Sequence, residues 1–93
     1  MFRVTKVGEE ALNRRGRLEI MHNIISLCLR PVQENYIKYQ ADLSLDQLHK
    51  YINFLVQTKF LEIRKTGQGD LYKATEKGMN FIGEYKNFIK LLK

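Results

Sequence analysis

FLEIRKTGQGDLYKATEKG, residues 60 to 78, contains two short alternating runs on either side of a pair of glycines, followed by a helix start. Leu61 and Ile63 are apolar while Glu62, Arg64 and Lys65 are charged, so a strand fits 61 to 65. Thr66-Gly67-Gln68-Gly69-Asp70 reads as a loop whose glycines can take positive φ, and Leu71-Tyr72-Lys73-Ala74 as the returning strand of a hairpin. Taken as a phosphate cradle, Gly67-Gln68-Gly69 would have to follow a buried strand and open a helix. Here both flanks are half-polar strands, and the hairpin reading prevails. Thr75 then caps a last helix predicted over about 75 to 92, with Glu76 at its positive end and Lys86, Lys90 and Lys93 toward its negative end.

Upstream of the hairpin the apolar period is helical. Leu18, Met21, Ile24, Ile25 and Cys28 form one stripe that predicts a helix over about 17 to 30, stopped by the single proline, Pro31. A shorter helix over about 33 to 40 offers Tyr36, Ile37 and Ala41 for burial and ends at a tight break, Asp42-Leu43. Ser44-Leu45-Asp46-Gln47 is the strongest start signal in the chain, because the serine hydroxyl can accept from the Gln47 amide while the Gln47 side chain reaches back to residue 44. From it Leu45, Leu48, Ile52 and Leu55 repeat at helical spacing, widened by Tyr51 and Phe54, to about residue 58. Two helices joined by a short turn, the second polar and capped, make a helix-turn-helix. Followed by the hairpin and a closing helix, the order predicts a mainly α winged helix-turn-helix with a small β-hairpin, whose C-terminal helix is the candidate dimerisation helix on the width of its apolar arc.

The chain resembles the small archaeal winged-helix DNA-binding proteins of about ten kilodaltons over residues 17 to 92. The likeness is carried by Arg17-Leu18-Glu19-Ile20, by Tyr39-Gln40-Ala41-Asp42-Leu43-Ser44 across the turn, by Phe60-Leu61-Glu62-Ile63, and by Tyr72-Lys73-Ala74-Thr75-Glu76-Lys77-Gly78. The Thr-Glu-Lys-Gly signature is shared across many winged-helix regulators. The resemblance implies double-stranded DNA binding as a homodimer paired through the last helix, with the helix from Ser44 in the major groove and the 66–70 wing on the backbone or minor groove. It does not reach residues 1–16, an extension that reads as a loose basic arm or as an extra strand and short helix; the winged domain is 17–93.

Composition agrees with that class. A chain of 93 residues, 44% hydrophobic and 28% charged, is one globular domain. Its net charge of +6 favours a polyanionic partner. Residues 1–17 hold five basic and two acidic residues, 18–58 three and four, and 59–93 eight and four, so the excess sits at both ends. No apolar run approaches the length of a membrane span and no signal segment is legible, which predicts a cytoplasmic, nucleoid-associated protein. The single cysteine, Cys28, lies on an apolar stripe and reads as a buried inert thiol. His22 and His49 sit on different helices with no metal-ligand spacing, so neither an enzyme nor a metal or other cofactor is expected.

The predicted DNA contacts are Ser44, Gln47, Lys50 and Asn53 on the outer face of the helix from Ser44, with Gln47 and Asn53 suited to adenine and Lys50 to guanine or phosphate. Arg64, Lys65, Gln68 and Lys73 are predicted around the wing, and Arg14, Arg15 and Arg17 form a second basic cluster. On the last helix Ile82, Tyr85, Ile89 and Leu92 repeat at steps of three, four and three, with Phe81, Phe88 and Leu91 as a second apolar edge. That arc is wider than one small domain covers, which suggests burial in a groove or pairing with a second copy, and the seam of Ile82, Tyr85, Ile89 and Leu92 is the predicted homodimer interface. Two other uses of the fold compete with a regulator: a protein-docking module and a non-specific, chromatin-type DNA binder.

Overall fold

The computed structural model describes residues 16–92. Helices α1 (Arg17–Leu27), α2 (Glu34–Ala41) and α3 (Leu45–Gln57) lead into strands β1 (Leu61–Thr66) and β2 (Gly69–Ala74), and helix α4 (Glu76–Leu91) follows. The order is the winged helix-turn-helix expected from the sequence, and the molecule is mainly helical. Arg14, Arg15 and the rest of residues 1–15 lie outside the described residues.

Each helix contributes the stripe its spacing marked. Ile20, Met21, Ile24, Ile25 and Cys28 of α1 meet Ile37 and Ala41 of α2 and Leu48, Ile52 and Leu55 of α3, with Leu43, Leu61 and Ala74 completing one core. Among the described residues no polar or charged residue is fully buried there, so the core is held by apolar burial and packing. Leu18, expected on the α1 stripe, is 51% exposed, and Ile20 takes the inward place. Tyr36 likewise stays 47% exposed while Ile37 and Ala41 turn inward.

Cys28 is fully buried, and burial pushes its thiol pKa up to about 12. Because the unfolded thiol ionises near 9.0, this contribution to stability is complete below that pH and falls away between 9.0 and about 12, where only the unfolded chain loses the proton. A thiol reagent at pH 8 should therefore modify Cys28 rapidly in denaturant and at least tenfold more slowly in the native protein. Equal rates would mean that the site opens freely.

Two boundaries differ from expectation. Helix α1 ends at Leu27 instead of running to about residue 30, because the Cys28 carbonyl turns out of the helix to accept from the Ala74 amide at 2.7 Å. Pro31 further disfavours helical geometry at Arg30. The wing strands are longer than the alternation indicated. Lys65 pairs with Asp70 and Thr66 with Gly69, which leaves Gly67-Gln68 as a two-residue turn where a five-residue loop was expected. Gly69 takes a φ of 117°, a conformation open to glycine, and Thr66 Oγ1 closes the turn by donating to the Gly69 carbonyl at 2.6 Å while accepting from the Gln68 amide. Val32, just after Pro31, forms a further bridge to Tyr72 through paired backbone bonds of 3.0 and 2.8 Å, tying the α1–α2 connection to the wing.

The Thr75-Glu76-Lys77-Gly78 signature joins α3, the hairpin and α4 at one point. Thr75 Oγ1 accepts from the Gly78 amide at 3.0 Å, capping α4, and donates to the Lys59 carbonyl at 2.5 Å. Lys77 Nζ donates to the Thr58 carbonyl at 2.8 Å, at the negative end of α3, and lies 4.8 Å from the centre of the Phe60 ring. Gly78 packs against the Phe60 carbonyl so closely that a Cβ would run into it. The signature is thus a joint between two helices and the base of the wing.

Candidate nucleic-acid interface

Helix α3 begins after the three-residue turn Asp42-Leu43-Ser44, in which Asp42 takes the left-handed conformation with φ 57°. The predicted capping box is formed. Ser44 Oγ accepts from the Gln47 amide at 3.2 Å, and Gln47 Oε1 accepts from the Ser44 amide at 3.2 Å. His49 Nε2 meets Glu34 Oε2 at 2.6 Å, a partly exposed contact between α3 and the start of α2.

Ser44, Gln47, Lys50 and Asn53 are all exposed, as their offset from Leu48, Ile52 and Leu55 requires. They do not form one straight row. A step of three residues turns the helix face by about 60°, so Gln47 and Asn53 lie about 120° apart with Lys50 between them. The box also occupies Gln47. Its carbonyl oxygen is taken by Ser44, so bidentate contact with adenine requires that bond to open. Lys50 and Asn53 have no such commitment among the described hydrogen bonds, whereas Asp46 adds an exposed carboxylate to the same turn as Gln47.

On the wing the pairing register separates residues that the sequence groups together. Neighbours along a strand point to opposite faces and directly paired residues share one. Lys65 therefore lies with Asp70, Ile63 and Tyr72 on the face that leads to buried Leu61 and Ala74, while Arg64 and Lys73 share the other face with Glu62 and Leu71. Both faces carry a counter-charge: Arg64 Nη2 meets Glu62 at 3.4 Å, and Lys65 Nζ meets Asp70 at 3.4 Å with its side chain 79% exposed. Exposed pairs of this kind are worth little and are readily exchanged for a phosphate. Gln68 is exposed in the turn itself. Between Leu61 and Ala74 three basic residues face two acidic ones, so the surplus of 59–93 lies largely outside the wing, on Lys59, Lys77, Lys86, Lys90 and Lys93.

Arg17, grouped by sequence with Arg14 and Arg15, lines one surface groove together with Lys50, Leu18, Met21, Tyr51 and Phe54. The four apolar residues of this groove were read from the sequence as core. The available signal was the apolar arc of α3, too wide for one buried face once Tyr51 and Phe54 are added to Leu48, Ile52 and Leu55.

Along α4 the division of apolar residues runs lengthwise. Gly78 is buried, and Phe81 and Ile82 pack against the core. Tyr85 stacks on His22 of α1 with ring centres 4.6 Å apart. Ile82 and Tyr85, expected in the dimer seam, are therefore partly covered by this chain's own α1 and core. Phe88, Leu91 and Leu92 are 52, 81 and 67% exposed, with Ile89 half-buried between them. Apart from Met79 near its start, the exposed apolar surface of the described helix is its last turn and a half.

No group of His, Cys, Asp or Glu residues that could hold a metal ion occurs among the described residues, and no described helix is long and apolar enough to cross a membrane. What the fold and this surface define is a helix-turn-helix module whose polar third helix stands exposed beside a two-stranded wing. The chain belongs to the winged helix-turn-helix family, whose model matches residues 14–93. Among solved structures it is similar to Sso10a-2, a DNA-binding protein from Sulfolobus solfataricus, at 30% identity over 83% of this chain and 81% of that one, with a TM-score of 0.76. It is also similar to AF1382 from Archaeoglobus fulgidus (22% identity, 91% and 97% covered, TM-score 0.69). A third is a winged-helix DNA-binding protein from STIV (19%, 97% and 91%, 0.66). No curated protein sequence matches.

Proposed function

We propose that the chain binds double-stranded DNA as a homodimer and acts as a transcriptional regulator, with α3 in the major groove and the wing along the backbone or minor groove. The observation that carries the reading is the exposed, capped polar face of α3 standing beside an exposed two-stranded wing in a chain of net charge +6. The likeness to Sso10a-2, a DNA-binding protein, supports it. Lys50 and Asn53 reach base edges, Ser44 contacts phosphate at the helix start, and Gln47 joins them when the capping box opens. Arg64, Lys65 and Lys73 neutralise phosphates, Gln68 lies at the closest approach of the turn, and Arg14, Arg15 and Arg17 add charge at the start of the domain. The exposed end of α4, with Ile89 and Leu92 of the expected seam and Phe88 and Leu91 beside them, pairs with its copy.

Salt dependence tests the reading. About four phosphates neutralised per protomer give a slope near −3.6 in log affinity against log salt, or a loss of about a hundredfold between 50 and 200 mM for one protomer and about ten-thousandfold for a dimer. Weak binding that ignores salt would point to a protein-docking module. Arg64→Ala with Lys73→Ala, which clears one face of the wing, should lower affinity for all duplexes alike and reduce the slope by about 2 per protomer. An unchanged slope would remove that face from the interface. Selection from a random duplex pool separates the two DNA readings: a regulator enriches a two-fold symmetric site, and a chromatin-type binder enriches none.

A further inference from the structure

The groove between the start of α1 and the outer half of α3 has a volume of about 510 Å³ and is lined by Arg17, Leu18, Met21, Lys50, Tyr51 and Phe54. Its lining is divided by chemistry. Met21 is buried and Tyr51 half-buried, while Leu18 and Phe54 leave half of their surfaces exposed, 51 and 48%. Among the described residues the charged lining consists of two cations, Arg17 and Lys50, and neither forms an ion pair there. An apolar trough of this size suits a small molecule, and two cations without an ion-pair partner among the described residues favour an anionic head.

We propose that this groove binds a small amphiphilic monocarboxylate, its apolar body laid along Leu18, Met21, Tyr51 and Phe54 and its carboxylate between Arg17 and Lys50. Water is excluded from apolar surface that the described residues leave uncovered, and the carboxylate accepts from guanidinium and ammonium at once. Lys50 also lies on the outer face of α3, so an occupied groove withdraws one positive charge from the surface offered to DNA. This second consequence rests on the DNA-binding reading; the site itself does not. Where both hold, carboxylate and DNA weaken each other's binding by the same factor.

The test is a titration of the full chain with decanoate below its micelle concentration, followed by amide and methyl chemical shifts. Saturable shifts centred on Leu18, Met21, Tyr51 and Phe54 are expected, with decanol binding about five- to tenfold more weakly for want of the ionic head. Arg17→Gln with Lys50→Gln should remove the difference between the two ligands. Leu18→Gln with Phe54→Gln, both at half-exposed positions, should abolish binding of each ligand while leaving DNA affinity unchanged. Saturating decanoate should lower the DNA affinity of the parent about threefold to tenfold and leave that of the Leu18/Phe54 variant unaltered. Four results would overturn the site: no saturable shifts, equal binding of decanol, proximity signals from residues 1–15 filling the groove of the free chain, or shifts that follow self-association instead of ligand. Binding of decanoate by a chain that fails to bind DNA would uphold the site and overturn only the proposed function.

Discussion

Gly78→Ala is expected to lower stability by about 2 kcal/mol and the melting temperature by about 8–16 °C, whereas Gly83→Ala in the same helix should raise stability by about 0.5–1 kcal/mol. Taken alone, either change improves helix propensity, because alanine loses less backbone entropy than glycine on folding. The surroundings set the sign. A Cβ at Gly83 meets nothing within 4 Å, but one at Gly78 collides with the Phe60 carbonyl and approaches Ile25 Cγ2 to 3.3 Å. That carbonyl cannot simply swing aside, since it accepts from the Thr75 amide at 3.1 Å and so holds the base of the wing to α4. Relief has to come from moving α4 off α1 and β1, which disturbs packing around Ile25 and Leu61. Thermal unfolding of the two variants beside the parent checks this directly. Equal shifts at both positions would show that the close approach of α4 carries no constraint.

Phe88→Asp with Leu92→Asp is expected to convert a dimer into a folded monomer and to weaken binding to a two-half-site duplex by about 10²–10⁴-fold, with single half-site affinity little altered. Phe88 and Leu92 are one turn apart, share a face, and are 52 and 67% exposed, so charges there leave the monomer's core intact. Ile82 and Tyr85, although in the same repeat, pack on the core and on His22 and would confound the experiment. Sedimentation at micromolar concentration reports the assembly, and two duplexes, one with a single half-site, separate avidity from contact. A parent that is already monomeric under those conditions would remove the dimer from the proposed function.

The reading of individual residues divides along a physical line. Periodicity marks which face of a helix is apolar, so α1, α2 and α3 and most of their buried residues were legible, as was the capping box, a local bond between residues three apart. The wing was legible as a hairpin but not in its register. Thr66, Gly69 and Asp70 lie on strands exposed on both faces, where no burial imposes an alternating pattern, and only backbone pairing places them. For the same reason the sequence placed Arg64, Lys65 and Lys73 together around the wing, whereas the register puts Arg64 and Lys73 on one face and Lys65 on the other.

By itself the sequence determined the class of fold, because the order of helical and alternating periods, with Ser44, Thr75 and the glycines at the joints, admits one arrangement of a small core. It also determined the polar outer face of α3 and the inert setting of Cys28. The tertiary structure alone decided which surplus apolar residues are covered. Leu18 and Phe54 flank a groove with half of their surfaces exposed, Tyr51 lines the groove while packing on the core, Phe81, Ile82 and Tyr85 are partly covered by the core and α1, and Phe88, Leu91 and Leu92 are left open. The reason is that periodicity records how wide an apolar face is, whereas the distance and angle at which the next helix crosses it decide how much of that width is removed from water.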